Sequence, residues 1–176
     1  MSKRSQAELA RQLRDAQRPL TRRDLALELL SASRDRDKID LALRALLHED
    51  VIDLLDDTHC PVLRDKARAY FDNPKSDRGG LIREQLIQLL TAIGHPDDIE
   101  LYKQGCVTYY RQPSTDTAQN LRAAALVGLA GVNQELSCAY AVRLLGEPDT
   151  SELNGQPSIT AINVLVHNEQ RLPIYH

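Results

Sequence analysis

The chain reads as an all-α protein, an α-α superhelix of about four helical hairpins behind an N-terminal cap helix. Three observations lead there. Apolar residues recur at i, i+3, i+4 and i+7 through most of the 176 residues, the spacing of a single stripe on an amphipathic helix. Strict two-residue alternation between turns, the mark of a half-buried strand, is absent. Pro and Gly sit between the stripes at Pro61, Pro74, Gly79-Gly80, Gly94 with Pro96, Pro113, Gly146 with Pro148, and Gly155 with Pro157. Gly closes helices and Pro opens them, so these positions punctuate a run of short helices.

Taken in order, a helix over 5–17 has a thin stripe of Leu9, Leu13 and Ala16, and residues 1–21 form a basic cap segment ahead of a repeat domain at 22–176. A helix over 22–32 follows, then one over 36–48 on Ile39, Ala42, Leu43, Leu46 and Leu47. Leu63, Ala67, Tyr70 and Phe71 define 61–73, and Ile82, Leu86, Leu89, Leu90 and Ile93 define 80–94. Ile99, Tyr102, Cys106, Tyr109 and Tyr110 place a helix at 97–111, and Leu121, Ala124, Ala125, Leu129 and Val132 place one at 117–132. The series ends with 134–146 and 157–169, the last on Ile159, Ile162 and Val166 with Asn163 interrupting the stripe.

Self-comparison adds a repeat. Asp77-x5-Arg83 recurs 39 residues later as Asp116-x5-Arg122, and 38 further on as the uncharged Asn154-x5-Thr160. Going back 43 residues from Arg83 reaches Arg34-x5-Asp40, with the charges exchanged. The unit is a helix pair of about 40 residues, and the residue before each anchor is apolar: Ile39, Ile82, Leu121 and Ile159. An acid in the turn can accept from the exposed amides of the next helix while the Arg reaches a carboxylate. Asp77, Arg83, Asp116 and Arg122 are therefore expected to form a structural ladder.

At these residues the chain resembles the HEAT repeats, in particular the short bacterial kind named after phycobilisome lyases. Leu121-Arg122-Ala123-Ala124-Ala125-Leu126-Val127-Gly128-Leu129 matches their second-helix motif, Ile82-Arg83 through Leu90 matches in part, and the copies at 39–47 and 159–166 lack the Arg. The resemblance covers about residues 22–170 and implies a right-handed superhelix with the second helices on the concave face. It also implies a choice of roles: protein-binding scaffold, chromophore-lyase-like protein, or nucleic-acid-binding repeat protein.

Composition narrows those roles. A net charge of −3 and a pI near 5.9 exclude a binder that is basic throughout. With no Trp and 4% aromatic residues, stacking platforms for bases and aromatic ligand cages are not expected, and the HEAT-like alkyl-base glycosylases, which use Trp, are set aside. Residues 1–23 hold Lys3, Arg4, Arg11, Arg14, Arg18, Arg22 and Arg23 against Glu8 and Asp15, a net +5 that leaves −8 elsewhere. Arg11, Arg14 and Arg18 are the candidates for a weak contact with nucleic acid or another anionic partner. The alternative is a solvated cap helix.

No apolar run spans a membrane, and MSKRSQAELARQL lacks the apolar core of a secretory signal, so a cytoplasmic location is expected. Cys60, Cys106 and Cys138 are widely spaced and read as reduced, packed thiols. His48-Glu49 is a lone copy of the pairs that a HEAT-repeat di-iron hydroxylase needs in number, and no phosphate loop or nucleophile elbow occurs. Asp56-Asp57 and Asp97-Asp98 are expected as helix caps. No catalytic residue, cofactor or metal is expected, and the leading reading is a non-enzymatic scaffold for another protein.

Two expectations concern the end of the chain. Asn163 is placed in a buried column, where its amide sets helix stacking or faces a ligand. The last helix carries Ile162, Val164, Leu165 and Val166, more apolar surface than one stripe needs. Its outer edge is expected to be covered by residues 171–176 folding back, by a second copy of the chain in a symmetric dimer, or by further residues of a longer protein.

Overall fold

A computed structural model describes residues 5–110, 116–146 and 155–169. Among these residues there are ten α-helices, three single turns of 3-10 helix and no strand. The helices are α1 (Gln6–Asp15), α2 (Pro19–Ala32), α3 (Arg36–Leu46), α4 (Glu49–Ile52), α5 (Cys60–Asp72), α6 (Leu81–Ile93), α7 (Ile99–Cys106), α8 (Gln119–Val132), α9 (Gln134–Leu145) and α10 (Ser158–His167).

Local chemistry sets most of the boundaries. Ser5 caps α1 by accepting from the Glu8 N–H, Asp35 caps α3 by accepting from Asp37 and Lys38, and Asn133 caps α9 by accepting from Leu136. Pro19 and Pro61 stand in the first turns of α2 and α5, where a missing N–H costs nothing. The helix expected over 97–111 stops at Cys106. There the Thr108 hydroxyl donates to the Gln104 carbonyl at 2.7 Å and the Tyr110 N–H leaves the helical path for Asp116. Helix α4, which the apolar periodicity does not announce, is one turn that buries Val51 completely.

The helices pack as four consecutive hairpins: α2 with α3, α5 with α6, α7 with α8, and α9 with α10. The second helix of each hairpin packs on the second helix of the next, α3 on α6, α6 on α8, and α8 on α10. One continuous apolar cluster runs through all of them. Helix α1 buries Leu9, Ala10 and Leu13 against α2 and α3, so it belongs to this core. The expected boundary at residue 21 falls inside α2, because Pro19 already starts that helix.

Gly105 and Gly128 let α7 and α8 approach closely, since a Cβ on Gly105 would lie 2.5 Å from that of Ala125; Gly128 is the tighter constraint on a ring. A Cβ there would lie 2.5 Å from the Tyr102 ring and 2.6 Å from the Thr91 hydroxyl, so only hydrogen fits. Tyr102 is fully buried by this contact, and burial pushes its phenol well above the usual range.

The register of the last helix differs from expectation. Ala161, Val164 and Leu165 face the core, whereas Ile159 (49% exposed), Ile162 (36%) and Val166 (57%) face outward. Asn163 is exposed with them rather than buried in a column. Counting 39 residues from α8, in place of 38, removes the discrepancy. Pro157, Ala161, Val164 and Leu165 then fall opposite the buried Ala118, Arg122, Ala125 and Leu126, and Ile159 and Val166 fall opposite the exposed Asn120 and Val127. One residue is about 100° of helix rotation, enough to turn a stripe from core to surface.

Candidate functional site

Two ion pairs lie in the core of the central hairpins. Asp77, in the turn between α5 and α6, accepts from the Ile82 and Arg83 amides at 3.1 and 3.0 Å and from Arg83 Nε at 3.1 Å. Arg83 Nη2 returns a bond to the Asp77 carbonyl at 3.0 Å, and its guanidinium lies 5.7 Å from the centre of the Phe71 ring. The backbone reaches this arrangement through Gly80, at φ 81°, a left-handed conformation that suits glycine. Asp116 accepts from the Tyr110 and Ala118 amides at 3.0 Å each and from Arg122 Nη1 at 2.6 Å. Arg122 also donates to the Thr108 carbonyl at 3.0 Å and lies 4.5 Å from the Tyr109 ring centre.

Arg83 and Arg122 are each 2% exposed and their acids are buried. Burial pushes the Asp116 carboxyl up, but its two backbone amides and the Arg122 charge outweigh that and hold it below the ordinary value. Each pair ties a turn to the helix that follows; Arg83 also meets a ring of the preceding helix, and Arg122 a ring in the segment just after α7. These four residues hold structure and present no polar atom to a ligand.

The first copy of the motif does not form the pair. Asp40 bonds to Arg44 one turn later at 2.9 Å, and Arg34 stays exposed beside the N-cap Asp35. Asn154 lies outside the described residues, and Thr160 donates to the Gln156 side chain at 2.8 Å.

A surface with room for a ligand lies along the second helices. A groove of about 340 Å³ is bounded by Glu84 and Gln88 of α6, Asn120, Ala123 and Val127 of α8, and Thr160 of α10. Burial pushes the Glu84 carboxyl above its usual range, reinforced by the Asp77 charge, while Gln88 opposes the shift by donating to it at 3.2 Å. On α8 the groove face is Asn120, Ala123, Ala124 and Val127; the same positions of α10 are Ile159, Ile162, Asn163 and Val166. Asn163 thus belongs to an exposed, largely apolar continuation of the groove wall. Amides, a hydroxyl, a single carboxylate and apolar patches can bind a polypeptide, but the lining holds no nucleophile–base pair.

The N-terminal arginines are mostly engaged within the chain. Arg11 is bidentate to Glu8, with Nη2 at 2.8 Å, and lies 3.7 Å from Asp15. Arg22 contacts Asp50 and the Ala16 carbonyl, and Arg23 donates to the Leu54 carbonyl at 3.1 Å. Arg14 and Arg18 are exposed. Lys3 and Arg4 lie outside the described residues.

Searches of protein-family models, curated proteins and solved structures return no match. The geometry therefore carries the reading alone. Among the described residues no cluster of three or more His, Cys, Asp or Glu could hold a metal ion. No helix among them is long and apolar enough to cross a membrane. None of the three cysteines is in a disulfide; Cys60 and Cys106 are buried and Cys138 is half-buried.

Sequence reasoning missed one buried pair. Asp98 is fully buried and accepts from Arg64 Nε at 2.5 Å and Nη2 at 3.3 Å, linking α5 to the start of α7. It makes no capping bond; His95 takes that role by accepting from the Asp97 N–H at 3.1 Å. Asp56 does cap, in a reciprocal box with His59. The available signal was the spacing of 34 between Arg64 and Asp98, which matches nothing in the 39-residue frame.

Proposed function

We propose that this chain is a non-enzymatic scaffold of HEAT-like helical repeats whose second helices, α3, α6, α8 and α10, line the concave side of a superhelix and bind a segment of another protein. The observation that carries this reading is the groove face repeated in register on α8 and α10, with Val127 48% and Val166 57% exposed. Side-chain amides at Gln88 and Asn120 suit the backbone of an extended segment, and the apolar positions suit its side chains. The serial packing of hairpins and the Arg122 motif support the HEAT-like assignment.

A photocrosslinking amino acid at Val127 or Ile162, compared with one at Glu28, tests the reading in the cell. Discrete adducts from the two groove positions, absent at Glu28, are the expected result. Equal labelling at all three positions would remove the groove from the proposal. Arg14 and Arg18 leave room for a weaker, salt-sensitive contact with an anionic partner. A symmetric dimer through Ile159, Ile162 and Val166 is the other occupant of the exposed edge, and light scattering distinguishes it. The tail 171–176, once expected over that edge, lies outside the described residues.

A further inference from the structure

The first hairpin departs from the ladder, and the Arg34 of its motif stands near Lys66 of α5 instead of a carboxylate partner. A second cleft, of about 400 Å³, opens between the α2–α3 turn and α5, lined by Ser33, Arg34, Ile39, Lys66, Ala69 and Tyr70, with Asn73 and Ser76 at one end. Lys66 Nζ donates to the Ser33 carbonyl at 2.9 Å, which leaves two of its three ammonium protons for other acceptors. Arg34 makes no ion pair among the described residues.

Three carboxylates of the neighbouring turns are paired with other cations. Asp35 is bonded to Lys38 at 2.9 Å and to the first amides of α3, Asp40 to Arg44, and Asp77 to Arg83. Asp65 lines the adjoining depression on the other side of Lys66 and lies 4.0 Å from Arg68. Burial lowers the Lys66 ammonium from its ordinary value, and the Arg34 charge adds to the shift.

The walls are braced before any ligand arrives. Ser33 is fully buried, its hydroxyl donates to Gln6 of α1 at 3.3 Å and accepts from the Asp35 N–H at 3.1 Å, and Gln6 Nε2 holds the Ala32 carbonyl at 2.8 Å. The turn is thus pinned by α1 on one side and Lys66 of α5 on the other. Preorganised donors bind an anion without the entropy loss of ordering a loop.

We infer that this cleft binds a small phosphate monoester, its dianion between Lys66 and Arg34 and its organic part against Ile39, Ala69 and the Tyr70 ring. An ammonium with two uncommitted protons and a guanidinium match the charge and the acceptor oxygens of a tetrahedral dianion. The cleft is larger than inorganic phosphate needs, and its apolar wall selects an ester over the bare ion. None of this depends on the groove of α6, α8 and α10.

Titration of the isotope-labelled full chain with phenyl phosphate, inorganic phosphate and phenol, followed by amide chemical shifts, is the test. Saturable shifts confined to residues 33–36, 66–70 and 73–76 are expected, strongest for phenyl phosphate, weaker for inorganic phosphate and absent for phenol. Arg34→Met, at an exposed position, and Lys66→Met should each weaken phenyl phosphate by about tenfold or more, with melting curves confirming that both variants fold. If Lys66→Met does not fold, Arg34→Met and competition by chloride decide the matter. Diffuse shifts without saturation, or an Arg34→Met chain that binds as the parent does, would overturn the inference.

Discussion

In the two central hairpins an arginine 2% exposed to solvent is held by a buried aspartate six residues earlier. In the outer two the same turn does without the pair. The first hairpin uses Asp35 as an ordinary N-cap and leaves Arg34 in water, and in the last the corrected register puts Gly155 and Ala161 opposite Asp116 and Arg122. A central hairpin is covered on both sides, so a polar group at its turn has no access to water and must find its partner within the protein. At the ends, solvent supplies what the partner would. Position in the stack, more than the motif, decides whether the charges are needed.

The comparison can be broken by removing one partner in each setting. Asp77→Ala strands Arg83 in the core and should cost about 3–5 kcal/mol in urea unfolding. Asp35→Ala removes the N-cap of α3 at the turn of the first hairpin and should cost clearly less in the same melts. Similar losses at the two sites would erase the distinction between inner and outer turns. Replacing both Asp116 and Arg122 with apolar residues should recover part of the loss seen when either is replaced alone, since the stranded charge is gone.

Acid sharpens the same contrast. Asp116 titrates below its ordinary value of 3.8 when folded, so its contribution is complete above that value and falls away as pH drops through the lower folded value. Melting temperature measured from pH 6 to pH 2 should therefore show a decline below about 4 that Asp116→Asn lacks. Glu84 has the opposite sign. Its raised carboxyl contributes below the unfolded value and loses that contribution as pH rises through the folded one.

Smaller effects come from packing and from the basic segment. Gly128→Ala drives a methyl into Tyr102 and Thr91 and should cost about 1–3 kcal/mol, measured by the same urea melts. Arg23→Ala should cost about 1 kcal/mol, because Arg23 is half-buried and bonded to the Leu54 carbonyl; on an outer face it would cost under about 0.5. Asn163→Ala should stay within about 0.5 kcal/mol, as an exposed position does. A loss above 2 kcal/mol would restore Asn163 to the core.

Every helix but the single turn α4 was legible, since Leu63, Ala67 and Tyr70 on α5 or Ile82, Leu86 and Leu90 on α6 obey one period from end to end. Asp77, Arg83, Asp116 and Arg122 were legible because each pair is local and recurs at one spacing. What escaped was whatever is set by a neighbour in space. Arg64 and Asp98 meet across 34 residues, and Arg23 reaches the carbonyl of Leu54 across 31. Helix α10 was misread for a different reason: nearly every residue from Ile159 to Val166 is apolar, so its composition does not choose a face. The groove and the cationic cleft are spaces between elements, and periodicity within one element does not describe them.

The six-residue reach of the buried pairs has a consequence for how such a chain can change length. Asp77 and Arg83 find each other inside one turn and the helix after it, and Phe71 comes from the helix immediately before. A stretch copied from Cys60 to Ile93 would carry its lock along with it, so a duplicated hairpin inserted beside the original would need no compensating charge anywhere else. The bridges from Lys66 to the Ser33 carbonyl and from Arg64 to Asp98 differ, because each spans the seam between one hairpin and the next. Growth by whole units is therefore resisted at those two seams.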